Sequence, residues 1–175
     1  MMNKEILLII AVFFLLSCSR KQEPAISEAE IRETEEALIG VNRLLIQKDK
    51  EKILEYMKQH QLTLEETETG LWYAIKQKGS GLKAEAGNRV TLAYEVSLPD
   101  GTTCYNSDSL GLKQFVVGKG GVESGLEEGI LLLNEGSKAL FIMPPHLAHG
   151  VPGDGNRIPA RSILVYQVEL IKVEP

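Results

Sequence analysis

"RVTLAYEVSLPDGTTCYNS", residues 89–107, is the stretch whose reading decides the fold. Val90, Leu92, Tyr94, Val96 and Leu98 alternate with Arg89, Thr91, Ala93, Glu95 and Ser97. Successive side chains of a strand point to opposite faces, so this period of two predicts a strand with one face buried and one wet. Pro99-Asp100-Gly101 follows. Proline presets φ and glycine supplies positive φ at no steric cost, so the chain turns there.

Outward from this strand the same period recurs. Leu71, Tyr73 and Ile75 alternate before Gly79-Ser80-Gly81 ends the run, and Phe115-Val116-Val117 forms a short strand. Ala139 to Met143 and Ser162 to Ile171 read as strands too, the latter with Leu164, Tyr166, Val168 and Leu170 on one side. One helix interrupts them. Ser124 is placed to cap it, Glu127 and Glu128 suit the positive end of its dipole, and Leu126, Ile130 and Leu133 share a face. Gly136 is expected to close it. The predicted class is α+β: an antiparallel half-barrel sheet wrapped around one helix.

A helical segment precedes the sheet. Ser27-Glu28-Ala29-Glu30 has the capping-box form. Ile31, Leu38, Val41 and Leu45 follow at helical spacing, and the stripe lapses at Lys48 and Lys52 before Ile53, Tyr56 and Met57 resume it. Two helices breaking near Asp49 are expected. Their seam suits packing on the main domain or pairing with a second copy, and two heptads are too few for a coiled coil. Of these, intramolecular packing is the expected use.

The first residues give an address. Lys4 precedes an unbroken apolar run from Ile6 to Leu16, short for a spanning helix and suited to a secretory signal. The division expected is a signal peptide over 1–17, a polar tether over 18–26, the helical segment over 27–69 and the main domain over 70–175. Removal of 1–17 leaves 158 of the 175 residues, room for one core of moderate size. The 19 Lys and Arg are dispersed and outnumbered by 24 Asp and Glu, so nothing points to a nucleic-acid partner and none is expected.

Leu15-Leu16-Ser17-Cys18 resembles a bacterial lipobox. The resemblance implies that Cys18 is lipidated and becomes the mature N-terminus. Multiple acyl chains would anchor the chain to a membrane of the bacterial cell envelope, facing the periplasm or the cell surface. Cys104 then has no disulfide partner in the chain.

Four segments in order, "RVTLAYEVSLPDGTTCYNS", "FVVGKGGVESGLEEGI", "GSKALFIMPPHLAHG" and "IPARSILVYQVELIKV", resemble the FKBP family of peptidyl-prolyl cis-trans isomerases over roughly residues 70 to 173. With the lipobox, "GLWYAIKQKGSG" and "HLAHG" resemble the gliding-motility-associated lipoprotein isomerases of that family. The resemblance implies a shallow apolar pocket between the concave face of the sheet and the helix, where a prolyl ring of a polypeptide client inserts. Carried across by motif, its lining is Tyr94, Phe115, Val122, Glu123, Leu126, His149, Ile158 and Tyr166. Leu126 stands where many members have Trp. Glu123 replaces an aliphatic residue at a position whose backbone N–H binds a substrate carbonyl. No metal or cofactor is implied.

The chain also departs from the family pattern. Cys104-Tyr105 replaces Phe-Asp, so Tyr94 loses a carboxylate acceptor, and Tyr105 offers a phenol in its place only if its side chain turns inward. His149 stands where members often have Tyr. These departures keep a second reading open: a proline-binding or chaperone module with little or no isomerase activity. A third makes the helical segment the arm of a homodimer.

His146 and His149 lie three apart within "PPHLAHGVPGD", a spacing that invites zinc. The prolines and glycines bracing the segment deny it helical geometry, and a zinc site needs three or four ligands. The preferred reading is a flap over the pocket, His149 facing in and His146 out.

Overall fold

The computed structural model describes residues 27–175. The signal, lipobox and tether readings, Cys18 among them, lie outside the described residues. The chain divides into two compact units, one ending at Val41 and the other spanning Asn42–Pro175.

In the first unit the described residues form the start of helix α1, Glu28–Gln59. The capping box closes as the sequence predicts: Ser27 Oγ accepts from the Glu30 N–H at 3.3 Å, and Glu30 Oε2 accepts from the Ser27 N–H at 2.8 Å. These bonds satisfy donors that a helix N-terminus otherwise leaves unpaired.

In the second unit α1 runs on without the break expected near Asp49. No proline interrupts residues 28–59, and Asp49 is buried, its Oδ2 accepting from Arg161 Nη2 at 2.8 Å. The lapse at Lys48 and Lys52 marks no hinge: both are exposed, and the buried face runs through Asp49, Ile53 and Met57. Beyond α1 come β1 (Glu65–Glu66), β2 (Trp72–Gln77), β3 (Arg89–Ser97), β4 (Thr103–Asn106), a one-turn helix α2 (Ser107–Leu110) and β5 (Lys113–Val116). Helix α3 (Ser124–Leu131), β6 (Lys138–Met143), a 3-10 turn (Pro145–Leu147) and β7 (Leu164–Glu174) complete the unit. The strands form one antiparallel seven-stranded sheet in the order β1-β2-β6-β7-β3-β4, with β5 on the same edge of β3 as β4.

Each face of the sheet carries a core. On the concave face Val90, Leu92, Val96, Phe141, Leu164, Tyr166 and Leu170 pack against Leu126, Ile130 and Leu133. On the other face Ile53 and Met57 of α1 pack on Trp72, Leu140, Ile142 and Val165. Burial of each such aliphatic side chain contributes about 1.5–3 kcal/mol before the entropy of ordering is subtracted. The second core explains why β2 is two-sided: Trp72 is buried under α1, whereas Ile75, expected inside, is exposed.

The ends of α3 differ from expectation. Glu123, not Ser124, is the N-cap, and Ser124 Oγ donates to the Leu147 carbonyl at 3.4 Å. The helix stops at Leu131, and Gly136 (φ 87°) serves the turn into β6 instead. Gly125 and Gly129 let α3 lie close to the sheet and flap. A Cβ at Gly129 would stand 2.7 Å from the Phe141 ring, and one at Gly125 3.1 Å from the Leu147 carbonyl oxygen.

Candidate active site: aromatic and charged side chains between helix α3 and the sheet

Five elements converge at the N-terminal end of α3. Strand β3 supplies Tyr94, β5 supplies Lys113 and Phe115, β7 supplies Tyr166, the α3 entry supplies Val122, Glu123 and Leu126, and the flap after β6 supplies His149 and Ile158. Phe115, Leu126, Ile158 and Tyr166 are buried in the concave core, with Tyr94 and Val122 partly buried against it. The Tyr94 and Tyr166 ring centres stand 6.3 Å apart, with the rings tilted 31° to each other. All eight residues inferred from sequence therefore lie around this core or are bonded to it.

Polar groups meet beside those rings. Glu123 turns its side chain inward, only 8% exposed, and its Oε1 accepts from the Tyr166 hydroxyl at 3.0 Å. His149 Nε2 lies 3.1 Å from the same oxygen, and because a carboxylate only accepts, Nε2 carries the proton. Lys113 Nζ donates to the Tyr166 hydroxyl at 3.2 Å and stands 3.7 Å from Glu123 Oε2. Its ammonium also lies 4.9 Å from the centre of the Tyr94 ring. Burial, then the Glu123 charge, pushes the Tyr166 phenol far above its ordinary value, and the same two causes raise Tyr94. Both phenols are neutral donors at any physiological pH.

Lys113 was absent from the sequence reading. The sequence predicts a strand over Phe115-Val116-Val117, whereas β5 begins at Lys113. Period two on Phe115 would have placed Lys113 on the same inward face, opposite Leu92. The Glu123 side chain was also missed, since only its backbone N–H was assigned a role. Among the described residues that N–H has no acceptor, and it remains free for a ligand carbonyl.

Tyr105 does not take up the role left open for it. Its hydroxyl donates to the Asp154 carboxylate, and Arg157 lies over its ring at 5.5 Å. Burial pushes the Asp154 carboxyl up, but the hydrogen bonds from Tyr105 and from the N–H groups of Asn156 and Ile158 outweigh it and hold the pKa at about 2. Tyr105 thus fastens the flap. Cys104 is buried, its thiol raised by burial and facing the Thr102 and Arg157 carbonyls at 3.9 and 3.6 Å. It is a small buried residue, not a reactive thiol. The two flap histidines diverge: His146 Nε2 lies 3.0 Å from the Thr69 carbonyl oxygen while His149 faces Glu123.

The family model described as FKBP-type peptidyl-prolyl cis-trans isomerase matches residues 81–171. An FKBP-type peptidyl-prolyl cis-trans isomerase FkpA from Aeromonas hydrophila is 38% identical over 108 residues, covering 62% of this chain and 40% of that protein. FK506-binding protein 2 from Yarrowia lipolytica is 35% identical over 112 residues, covering 63% of this chain and 78% of that protein. Among solved structures, FkpA from Escherichia coli superposes with a TM-score of 0.64 at 28% identity, covering 99% of this chain and 83% of that one. AtFKBP13 superposes with a TM-score of 0.61 at 28% identity over 63% of this chain and 98% of that one. The match thus spans under half the length of the Aeromonas relative and most of the Yarrowia one.

Proposed function

We propose, from the premise that the chain belongs to the FKBP-type peptidyl-prolyl cis-trans isomerase family, that it catalyses rotation about X–Pro bonds in polypeptide clients. The observation that carries the reading is the convergence of side chains at the α3 entry: Tyr94 beside Tyr166, Leu126 and Ile158 in the core beneath, and an unpaired Glu123 N–H at its edge. The barrier to rotation is about 18–20 kcal/mol because amide resonance must be lost. No proton transfer or nucleophile is needed. A site that holds the ring and fits the twisted amide better than the planar one lowers the barrier by differential binding. The Glu123 N–H would hold a client carbonyl, and the rings would shield the twisting bond from water. A protease-coupled assay on a short X–Pro peptide tests this. Acceleration above buffer is expected, and its absence overturns the reading.

A specific observation favours a second reading, a proline-binding or chaperone module with weak turnover. Tyr105 is committed to Asp154, and among the described residues the Tyr94 hydroxyl has no hydrogen-bond acceptor. Under this reading Cys104→Phe combined with Tyr105→Asp raises turnover sharply. Unchanged turnover argues against it.

The lipobox supports a finer assignment, an isomerase of the gliding-motility-associated lipoprotein type, anchored through Cys18 in the bacterial envelope. Among the described residues no helix is long and apolar enough to cross a membrane. Cys18→Ala should move the protein from the membrane to the soluble fraction. Retention in the membrane would remove the lipid reading. The exposed Ile31, Leu38, Ile39 and Val41 of α1 support a homodimer arm, and a monomeric mass for the full chain in solution would end that idea.

A further inference from the structure

We propose that Lys113 fills the candidate prolyl site from within and so lowers its affinity for a prolyl ring. The proposal rests on the isomerase reading of this site and concerns its affinity. Its first support is the surroundings of the ammonium. Nζ lies 4.9 Å from the Tyr94 ring centre, 5.8 Å from that of Tyr166, 3.2 Å from the Tyr166 hydroxyl and 3.7 Å from Glu123 Oε2. Two aromatic rings, a hydroxyl and a carboxylate around one cation make a cage for an alkylammonium. The chain supplies its own.

The second support is independent. Glu123 Oε2 is buried and has no hydrogen-bond partner, while Oε1 takes both the Tyr166 and the His149 contacts. A buried carboxylate is costly unless a cation neutralises it. Lys113 is the nearby lysine, too far for a hydrogen bond yet close enough for attraction. The third is mobility by design. Lys113 is the first residue of β5, its side chain is 24% exposed, and its flexible stem can carry the ammonium out to water.

Opening the site to a prolyl ring therefore requires the ammonium to leave and strips Glu123 of its counter-charge. An apolar ring repays neither loss. A neutral site of the same shape lacks this competitor and binds an uncharged prolyl peptide more tightly. An ammonium of the right length, offered from outside, should enter the cage once Lys113 is gone.

The test measures binding of an uncharged X–Pro tetrapeptide to the full chain by NMR titration, in the wild type and in Lys113→Ala/Glu123→Gln. That pair of changes vacates the site, keeps net charge balanced and leaves Gln able to accept from Tyr166 and His149. Binding should tighten by roughly tenfold, equivalent to about 1.4 kcal/mol. In a second arm n-butylammonium is titrated into Lys113→Ala and should shift the Tyr94 and Tyr166 ring signals saturably, leaving the wild type unmoved. Equal peptide affinity in wild type and double variant overturns the proposal while sparing the isomerase reading. No peptide binding by either protein overturns both. Absence of butylammonium uptake by folded Lys113→Ala also overturns it, and the double variant decides where that protein does not fold.

Discussion

Asp154 shows how one carboxylate organises the mouth of the site. Its pKa is depressed to about 2 from an ordinary 3.8, so the stability it contributes is complete above about pH 4 and is lost as pH falls through about 2. In that window the Tyr105, Asn156 and Ile158 contacts give way together, and the flap should loosen. A side-chain carboxyl titration by NMR should place Asp154 far below its ordinary value, and Tyr105→Phe should move it upward by removing one donor. An unmoved titration in that variant would separate Tyr105 from the flap. These contacts were not legible in the sequence, because residues 105 and 154 lie 49 apart and meet only through loops. Lys113 was legible in principle: the alternation that put Phe115 inside also points two residues back. Glu123 was named for its backbone, and nothing in a single sequence says which way an acidic side chain at a helix entry turns.

At the scale of elements, α3 and α1 are held by different devices. Helix α3 docks through Gly129, where an added methyl would meet the Phe141 ring at 2.7 Å. Gly129→Ala gains about 1 kcal/mol of helix propensity but overpacks the contact at a cost of about 1–3 kcal/mol. A lower thermal midpoint together with weaker peptide binding is expected, because the same helix carries Glu123. A stabilised protein with unchanged binding would show that α3 can shift without disturbing the site. The second half of α1 is fixed by Ile53, Met57 and the Asp49–Arg161 pair. Arg161 follows the flap, its N–H donating to the Gly150 carbonyl at 3.0 Å, so the pair links α1 to the segment that carries His149. Asp49→Ala should cost about 1–3 kcal/mol in urea unfolding, toward the low end because the Arg161 side chain is a third exposed. The capping box and five of the seven strands were readable because local chemistry and period carry them, whereas the short β1 and β4 show no apolar alternation. The continuity of α1 was not readable, since the buried face passes through the charged Asp49 and so lacks an unbroken apolar stripe.

For the molecule as a whole, a sheet with a helix on each face divides two tasks. The α3 face carries the candidate site, and the other face is covered by Ile53 and Met57 of α1 over Trp72. Family membership and the antiparallel sheet followed from segment order, whereas the polar filling of the site depends on three side chains from β5, the α3 entry and the flap. Its consequence is a candidate site that sets aromatic rings around charged side chains. Two-dimensional exchange NMR on an X–Pro peptide, with and without the full chain, reads the interconversion of cis and trans directly. The account predicts exchange cross-peaks at a few per cent of protein over peptide, weakened when Tyr166 is replaced by Leu. Exchange no faster than in buffer, at protein concentrations where peptide binding is seen, would contradict it.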